Sequence, residues 1–521
     1  MLNSTSVNCN ALISNRKSHW APRLAFVLFV MGLALHIHFA IIGWDTSLSD
    51  RHEFRQTQTA IAAREIARNG LSVDNYIPVL GPPWTLLLEF PIYQNIVGAL
   101  ARGTGWPIES VGRLVSLSFF YSILPALFLI SRRLMTEWES WVFLSLVVSS
   151  PVYLFWSRTV MIESLALAFS LWGLWFLLKA IDHANWLWIL VASATLGLAG
   201  LAKLTTLFDW LLVAGVWWIY MLGVAIKNGA TGSEITRRFL LGGGIPVIFA
   251  ALLTLAWAKH VDHVNSLSTM TAYFTSANES FRKWNFGSWN QFTSANSVRW
   301  LGFLQNVFTL RGSAIFLVIT LLLMPGKRLL AFVSVVLFVA PLLVFTNLFY
   351  SHDYYYYANG ILFLAAVGFV VNAVLAESRF SLAGKLLLIG WIAHDQYQGS
   401  AYYRSLLRLP QRSNQLAEQI KHSVPVKGVV VAYGFSWNPA LAYYSDRKFI
   451  MLNPGEALDS HRPESVIKKM SEGEIVAMVV GNSDRKGKEF IAVQLKRLNL
   501  PSNPSYSDTE GDLYIRDTKA P

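Results

Sequence analysis

Directly after the first strongly apolar stretch, Asp50-Arg51-His52-Glu53-Phe54-Arg55 packs five ionisable side chains into six positions. Two carboxylates, two guanidiniums and an imidazole at that density offer both a general base and a cation for a phosphate. A solvated loop also collects charges, so the segment gains weight only from its company. Glu89 sits among apolar residues in Leu88-Glu89-Phe90-Pro91, Arg158 and Glu163 flank the mouth of an apolar run, Lys203 interrupts the run Leu196 to Leu207, and His352-Asp353-Tyr354-Tyr355 caps another. Each has a bland reading: Arg158 pairing with Glu163, Lys203 snorkelling, the tyrosines forming an interface belt, Glu89 capping a helix that starts at Pro91. Ionisable groups beside or within membrane spans are costly, however, and face a cavity or one another.

The elements that must hold these residues are membrane spans. Of 521 residues, 54% are hydrophobic and only 14% charged, against about 25% charged in a soluble domain. The first apolar run, Leu24 to Gly43, is too long for the core of a cleaved secretory signal and reads as an uncleaved span. Further runs near 111–131, 140–156, 162–180, 185–203, 205–225, 239–258, 304–324, 329–347, 359–376 and 384–401 bring the expected total to about eleven. The net charge of +12 does not point to nucleic acid, because the basic residues gather in short loops as the positive-inside pattern requires. With Arg16 and Lys17 inside, Arg132, Arg133, Lys179, Lys227 to Arg238, Lys327, Arg328, Arg379 and Lys385 all fall on the same side. The opposite, outer side receives the loops 44–110 and 259–303, the stretch 351–359, and the chain beyond 402. Every candidate residue named above lies at that outer side.

The organisation expected is a tail over 1–23, a transmembrane domain over 24–402, and an outer α/β domain over 403–521. In the last, Lys427 to Gly434 and Ile475 to Gly481 read as buried strands with a helix over Asn438 to Ser445 between them. Within the first outer loop, Thr57 to Asn69 places Ala60, Ala63, Ile66 and Ala67 on one face and reads as a helix lying at the membrane surface. Cys9 is the only cysteine, which excludes an internal disulfide and a cysteine-built zinc site. His352 and Asp353 are adjacent, with Glu89 and His263 on the same side, yet no ligand spacing is diagnostic. No cofactor is expected and no divalent cation is assigned.

These residues together resemble the C-type glycosyltransferase superfamily, and within it the branch of protein O-mannosyltransferases and lipid A aminoarabinose transferases. The resemblance spans roughly 20–360. It rests on the acid-bearing first outer loop, Ala63-Arg64-Glu65, the element Glu89, Pro91, Tyr93, then Gly112-Arg113-Leu114, Glu163, Lys203, and His352-Asp353-Tyr354-Tyr355. It implies a multi-pass enzyme of the bacterial cytoplasmic membrane that takes a sugar from a polyprenyl-phosphate donor in the bilayer to an outer-face glycan, lipid or protein acceptor. It further implies a catalytic carboxylate in the first outer loop, here Glu53, with Asp50, Glu163 and Glu89 as the other candidates. The family's Glu-Lys-Pro-Pro element stands here as Glu89-Phe90-Pro91-Ile92, without the lysine. Arg55, Lys203 or His352 must then face the phosphate, with Arg158, Asp353, Tyr354 and Tyr355 completing the binding set. Two alternatives share the topology: a ligase or polymerase of lipid-linked oligosaccharide, and a lipid-glycan transporter or flippase, which would place its charges near the midplane.

Overall fold

The computed structural model describes residues 21–516 except 45–46, 289, 294–302, 305, 309–327, 408–413, 454, 472 and 483–486. The N-terminal tail through residue 20 and nearly all of the span expected at 304–324 lie outside the described residues. Along the chain the helices are α1 (Ala21–Ile42), α2 (Glu53–Asn69), α3 (Ile92–Thr104), α4 (Ile108–Ser131), α5 (Glu137–Ser149), α6 (Pro151–Trp156), α7 (Glu163–His183), α8 (Trp186–Ala202) and α9 (Leu204–Lys227). Long helices follow over Ile245–Ser266, Arg328–Val344, Tyr356–Ala376 and Leu382–Gly399. Among the described residues six helical stretches are long and apolar enough to cross a bilayer: Pro22–Ile42, Ile108–Ser131, Glu163–His183, Leu204–Lys227, Gly232–Ser266 and Asp353–Ala376. Helix α8 and Leu329–Val344 are apolar but shorter. The chain divides into two compact units. One takes the chain up to Asp45, Ser116–Thr254 and Lys283–Arg408; the other takes Thr46–Val115, Leu255–Arg282 and everything from Leu409.

The first unit is helical because nearly every apolar run in it is long enough to satisfy its own backbone within one helix, as hydrocarbon demands. Helix α7 packs most extensively on α8, and α1 on α5. Gly173 lets α8 come close, since a Cβ there would lie 2.6 Å from the Leu196 side chain. Two helix ends position chemistry. Glu163 opens α7, where a carboxylate meets the positive end of the helix dipole. Lys203 is an extended residue, φ −168°, between the end of α8 and the start of α9, so both termini lie at one end of the hairpin. The run expected as one span over 140–156 is broken between α5 and α6. Pro151 has no N–H to continue the ladder and instead occupies the first turn of α6.

The second unit is built on a five-stranded sheet in the order β2-β1-β3-β5-β4, with β1 (Val429–Tyr433), β2 (Lys448–Leu452), β3 (Ile475–Gly481), β4 (Tyr506–Ser507) and β5 (Gly511–Ile515). Strand β1 runs parallel to β2 and β3, and β5 is antiparallel to β3 and β4. All five residues of β1 are buried, as a central parallel strand covered on both faces requires. The expected strands are β1 and β3, and the helix between β1 and β2 covers Ala440–Ser445. The loop between α2 and α3 supplies the cover for the edge of β2: Phe449 N donates to Pro78 O at 2.8 Å and Met451 N to Val79 O at 2.9 Å. An open edge strand invites foreign pairing, and here the chain closes it with its own residues.

The apolar face of α2 is used differently from the membrane-surface reading. Ala60, Ala63 and Ile66 are buried, and the helix packs on α3 and on the Ala440–Ser445 helix. Gly98 of α3 permits that approach, a Cβ there falling 2.6 Å from Ala63 O. A face of alanines suits close contact between helices better than insertion into lipid, where larger apolar side chains gain more.

Candidate active site

In the second unit the acids and bases of the segment 50–55 sit at the start of α2. His52 adopts a left-handed backbone, φ 47°, and turns the chain into the helix, whose first residue is Glu53. Asp50 is largely buried; its carboxylate accepts from Arg51 N at 2.8 Å and from Gln56 Nε2 at 2.7 Å. Gln56 also donates to Arg51 O at 2.8 Å, so Asp50 is held as the fastener of this turn. Arg55 forms an ion pair with Glu89 and donates to Gln58 Oε1 at 2.7 Å. Phe90, next to Glu89, packs edge-on against Trp257 at 4.8 Å, and Trp257 Nε1 donates to Leu88 O at 3.1 Å, which fixes the Glu89 backbone.

The Ala440–Ser445 helix contributes Tyr443 and Tyr444 to this neighbourhood. Burial pushes the Tyr444 phenol above its ordinary pKa, and the charges of Glu53, Glu109 and Asp50 push the same way. A phenol held neutral keeps its hydroxyl hydrogen, and the Tyr444 hydroxyl is buried in the electrostatic reach of Glu53, Glu109 and Asp50. Tyr443 donates to Glu109 Oε1 at 2.5 Å and accepts Arg64 Nη1 on its carbonyl at 2.7 Å. Asp446 pairs with Arg64 at 3.2 Å and with Arg68 through two hydrogen bonds of 2.9 and 2.8 Å. Arg447 spends its guanidinium on the carbonyls of Lys421, Val424, Ser445 and Asp446. Asn438 Oδ1 accepts Ala440 N at 3.0 Å in the turn that leads through Pro439 into the short helix.

The first unit holds a separate cluster. Lys203 Nζ donates to Glu163 Oε1 at 2.7 Å, with side-chain exposures of only 6% and 4%. The same ammonium lies over the rings of Tyr355 at 4.3 Å and Tyr354 at 5.0 Å. His352 stacks on Tyr354 at 5.2 Å. Asp353 is fully buried and accepts Tyr403 Oη at 3.3 Å, and that hydroxyl accepts Trp156 Nε1 at 3.1 Å. Arg158 is fully buried beside the end of α1: Nη1 donates to Gly43 O at 2.8 Å and the guanidinium lies over Phe155 at 4.9 Å. Lys203, Glu163, His352, Tyr354 and Tyr355 are thus brought together. Asp50, Glu53, Arg55 and Glu89 gather in the other unit. Among the described residues no group of three or more His, Cys, Asp or Glu side chains has the geometry of a metal site.

No protein-family model and no curated protein matches the sequence. Solved structures do match along nearly its whole length. ArnT from Cupriavidus metallidurans bound to undecaprenyl phosphate superposes with a TM-score of 0.57 at 12% identity, covering 94% of this chain and 98% of that one. ArnT from the same organism in the apo state gives 0.53 at 13% identity, with 93% and 97% covered. The archaeal oligosaccharyltransferase AglB from Archaeoglobus fulgidus, in complex with an inhibitory peptide and a dolichol-phosphate, gives 0.50 at 13%, with 92% and 72% covered. The chain has the C-type glycosyltransferase fold. The resemblance read from its residues is therefore matched at the level of fold.

On this C-type glycosyltransferase fold three acids stand beside the expected ones. Glu109 lies in the first turn of α4, where an acid two residues after Pro107 is a readable helix-start signal. Asp446 follows the short helix in a left-handed conformation that no periodicity announces. Asp209, on α9, is almost wholly buried, and the Lys203 ammonium acts on it electrostatically. As an acid inside an apolar run it carried its own signal in the sequence.

Proposed function

We propose that this chain transfers a glycosyl group from a polyprenyl-phosphate donor to an acceptor hydroxyl at the outer face of the membrane, with inversion. The observation that carries the reading is the end-to-end likeness to ArnT bound to undecaprenyl phosphate, a lipid phosphate. Glu53 serves as base: half-buried, at the first position of α2 and beside a neutral Tyr444, it takes the proton of the acceptor hydroxyl. The acceptor oxygen forms the new bond to the anomeric carbon as the carbon–oxygen bond to phosphate breaks, and the polyprenyl phosphate departs with the electron pair. A phosphate leaves readily, so that side of the reaction needs cations more than an acid. Arg55, in the same helical turn as Glu53, is one such cation, and a phosphate would compete with Glu89 for it. Lys203 and His352 are the further candidates for the lipid phosphate, with Tyr354 and Tyr355 holding the Lys203 ammonium.

The likeness to an oligosaccharyltransferase supports a second reading, in which the donor carries a whole glycan. A transporter is less favoured, because Glu163 and Lys203 occupy helix ends and not helix centres. The test is release of label from radiolabelled polyprenyl-phosphate hexose, pentose and amino-sugar donors by the purified protein with membrane-extract acceptors. Wild type should release and transfer label, and Glu53→Gln should bind donor but lose turnover by at least about a hundredfold. Full turnover in Glu53→Gln removes the base assignment; no transfer from any monosaccharide donor, with transfer from a lipid-linked oligosaccharide, establishes the second reading.

A further inference from the structure

A groove of about 310 Å³ opens in the second unit along the C-terminal half of α2, outside the cluster at that helix's start. Its floor is Ala62 and Ile66, and its far wall is a short hairpin in which Tyr76 pairs with Thr85 across an antiparallel bridge. The walls are preformed. Ile77 N donates to Trp84 O at 2.9 Å and Leu86 N to Asn75 O at 3.1 Å, and the hairpin's outer limb is docked on β2. The loop closing the groove leaves α2 through Gly70, φ 102°, and is tied to α3 by Asn95, which accepts Ser72 N at 3.0 Å and donates to Ser72 O at 2.7 Å.

The lining is chemically specific. Glu65 and Asp74 present carboxylates, Asn69, Ser72 and Thr85 present neutral polar groups, and Tyr76 adds an aromatic face with a phenol. No lysine or arginine lines the groove, which leaves it without the donors a phosphate or polyanion requires. Positive charge stands near the acids at the rim: Arg102 reaches to within 3.7 Å of where a Cβ on Gly70 would stand, and Arg68, though bound to Asp446, still acts electrostatically on Glu65. Ser72 and Thr85 spend their hydroxyl hydrogens on Asp74 O and Pro83 O, and Asn69 donates to Glu65, so the lining offers chiefly acceptors for hydroxyl hydrogens and one aromatic face for a ring's C–H side, the complement of a neutral sugar. Glu65 is twelve residues past Glu53, about 18 Å along the axis at 1.5 Å per residue. One sugar ring cannot touch both.

From this placement we infer that the groove is a remote subsite for a neutral, hydroxyl-rich glycan segment, the portion of the acceptor lying away from the reacting hydroxyl. The inference rests on the glycosyl-transfer reading only for the word acceptor; glycan binding is measured by itself. The experiment applies the purified full-length protein in detergent to an immobilised array of neutral, amino-bearing and anionic oligosaccharides, with Tyr76→Ala, Glu65→Gln and the conservative Tyr76→Phe in parallel and melting temperatures recorded for each. Wild type should retain neutral glycans above the charged ones, Tyr76→Ala and Glu65→Gln should bind at least about tenfold less with unchanged melting temperature, and Tyr76→Phe should keep most binding because it keeps the ring. Absence of neutral-glycan binding by wild type, preference for anionic glycans, or equal binding by Tyr76→Ala overturns the proposal. Label release from the lipid donor is scored separately. Release without array binding removes the groove and leaves the transferase; array binding without release from any donor does the reverse.

Discussion

Two ion pairs that look alike on paper differ by their surroundings. Glu163 and Lys203 are joined with almost no exposure, so removing one partner strands a charge in a low-dielectric interior. Glu163→Gln should lower stability by about 3–5 kcal/mol, read as a drop in the detergent melting temperature, whereas the double change Glu163→Leu with Lys203→Met should recover most of the loss. If the single and double variants melt alike, the pair carries no such strain. Asp446 presents the pH counterpart in the second unit. Hydrogen bonding to Arg68 is the largest influence holding its carboxyl below the ordinary range, with the charges of Arg64 and Arg68 adding to it. A depressed carboxylate contributes stability that is fully present above its unfolded pKa of about 3.9 and is lost as pH falls through the lower folded value. Acid unfolding of wild type should therefore steepen below about pH 4, and Asp446→Asn should flatten that limb while lowering stability at neutral pH. At this scale the sequence singles out residues that the structure gathers into two clusters, one in each unit, and does not pair them. Lys203 stands out because it interrupts an apolar run, but the only partner the bland reading offers Glu163 is Arg158, five residues away. The structure gives Glu163 to Lys203, forty residues on, and Arg158 to the Gly43 carbonyl. Periodicity reports a residue's own element; it carries no information on which distant helix end will arrive beside it.

Among the elements, those written as apolar runs were legible and those written in turn residues were not. Strands β1 and β3 follow from Val-Val-Val-Ala-Tyr and Ile-Val-Ala-Met-Val-Val, and the helices from runs near bilayer length. The stretch 78–81, Pro-Val-Leu-Gly before a Pro-Pro pair, reads as loop, yet it covers the β2 edge. Proline is tolerated there because Pro78 contributes only its carbonyl to the pairing. Gly81 is the demanding position of that segment. Its φ is 75°, and a Cβ would lie 2.2 Å from Val466 Cγ1. Gly81→Ala should cost about 1–3 kcal/mol and raise proteolysis of the first outer loop, since backbone strain and a clash with a buried side chain act together. Val466→Ala in the same background should relieve the clash and return part of the loss; no return would mean that the backbone conformation alone carries the cost.

For the whole molecule, the positive-inside pattern of the sequence sets the orientation to be tested. The pattern assigns the loop around Arg379 to the cytoplasmic side and the chain beyond 402 to the outer side, and a polyprenyl-phosphate donor used at the outer face requires that assignment. Cys9, the lone cysteine, makes the question directly measurable once it is replaced by serine. In that background Ser502→Cys and Arg379→Cys each introduce a single thiol at an exposed position. A membrane-impermeant maleimide added to intact spheroplasts should label Ser502→Cys fully and Arg379→Cys only after lysis. The opposite pattern would put the sheet-bearing unit in the cytoplasm and require a donor presented on that face. Labelling of both before lysis would break the alternation of spans on which the assignment rests. That alternation has physical content beyond bookkeeping. Six described helical stretches have the length and apolarity to span, while the 17-residue α8 covers only about 25 Å. A short helix that ends on Lys203, paired with Glu163, could cross without lipid having to accept a bare charge. Breaking the pair by Glu163→Gln should therefore loosen α8 first, which hydrogen exchange across 186–202 would register before any change in the sheet.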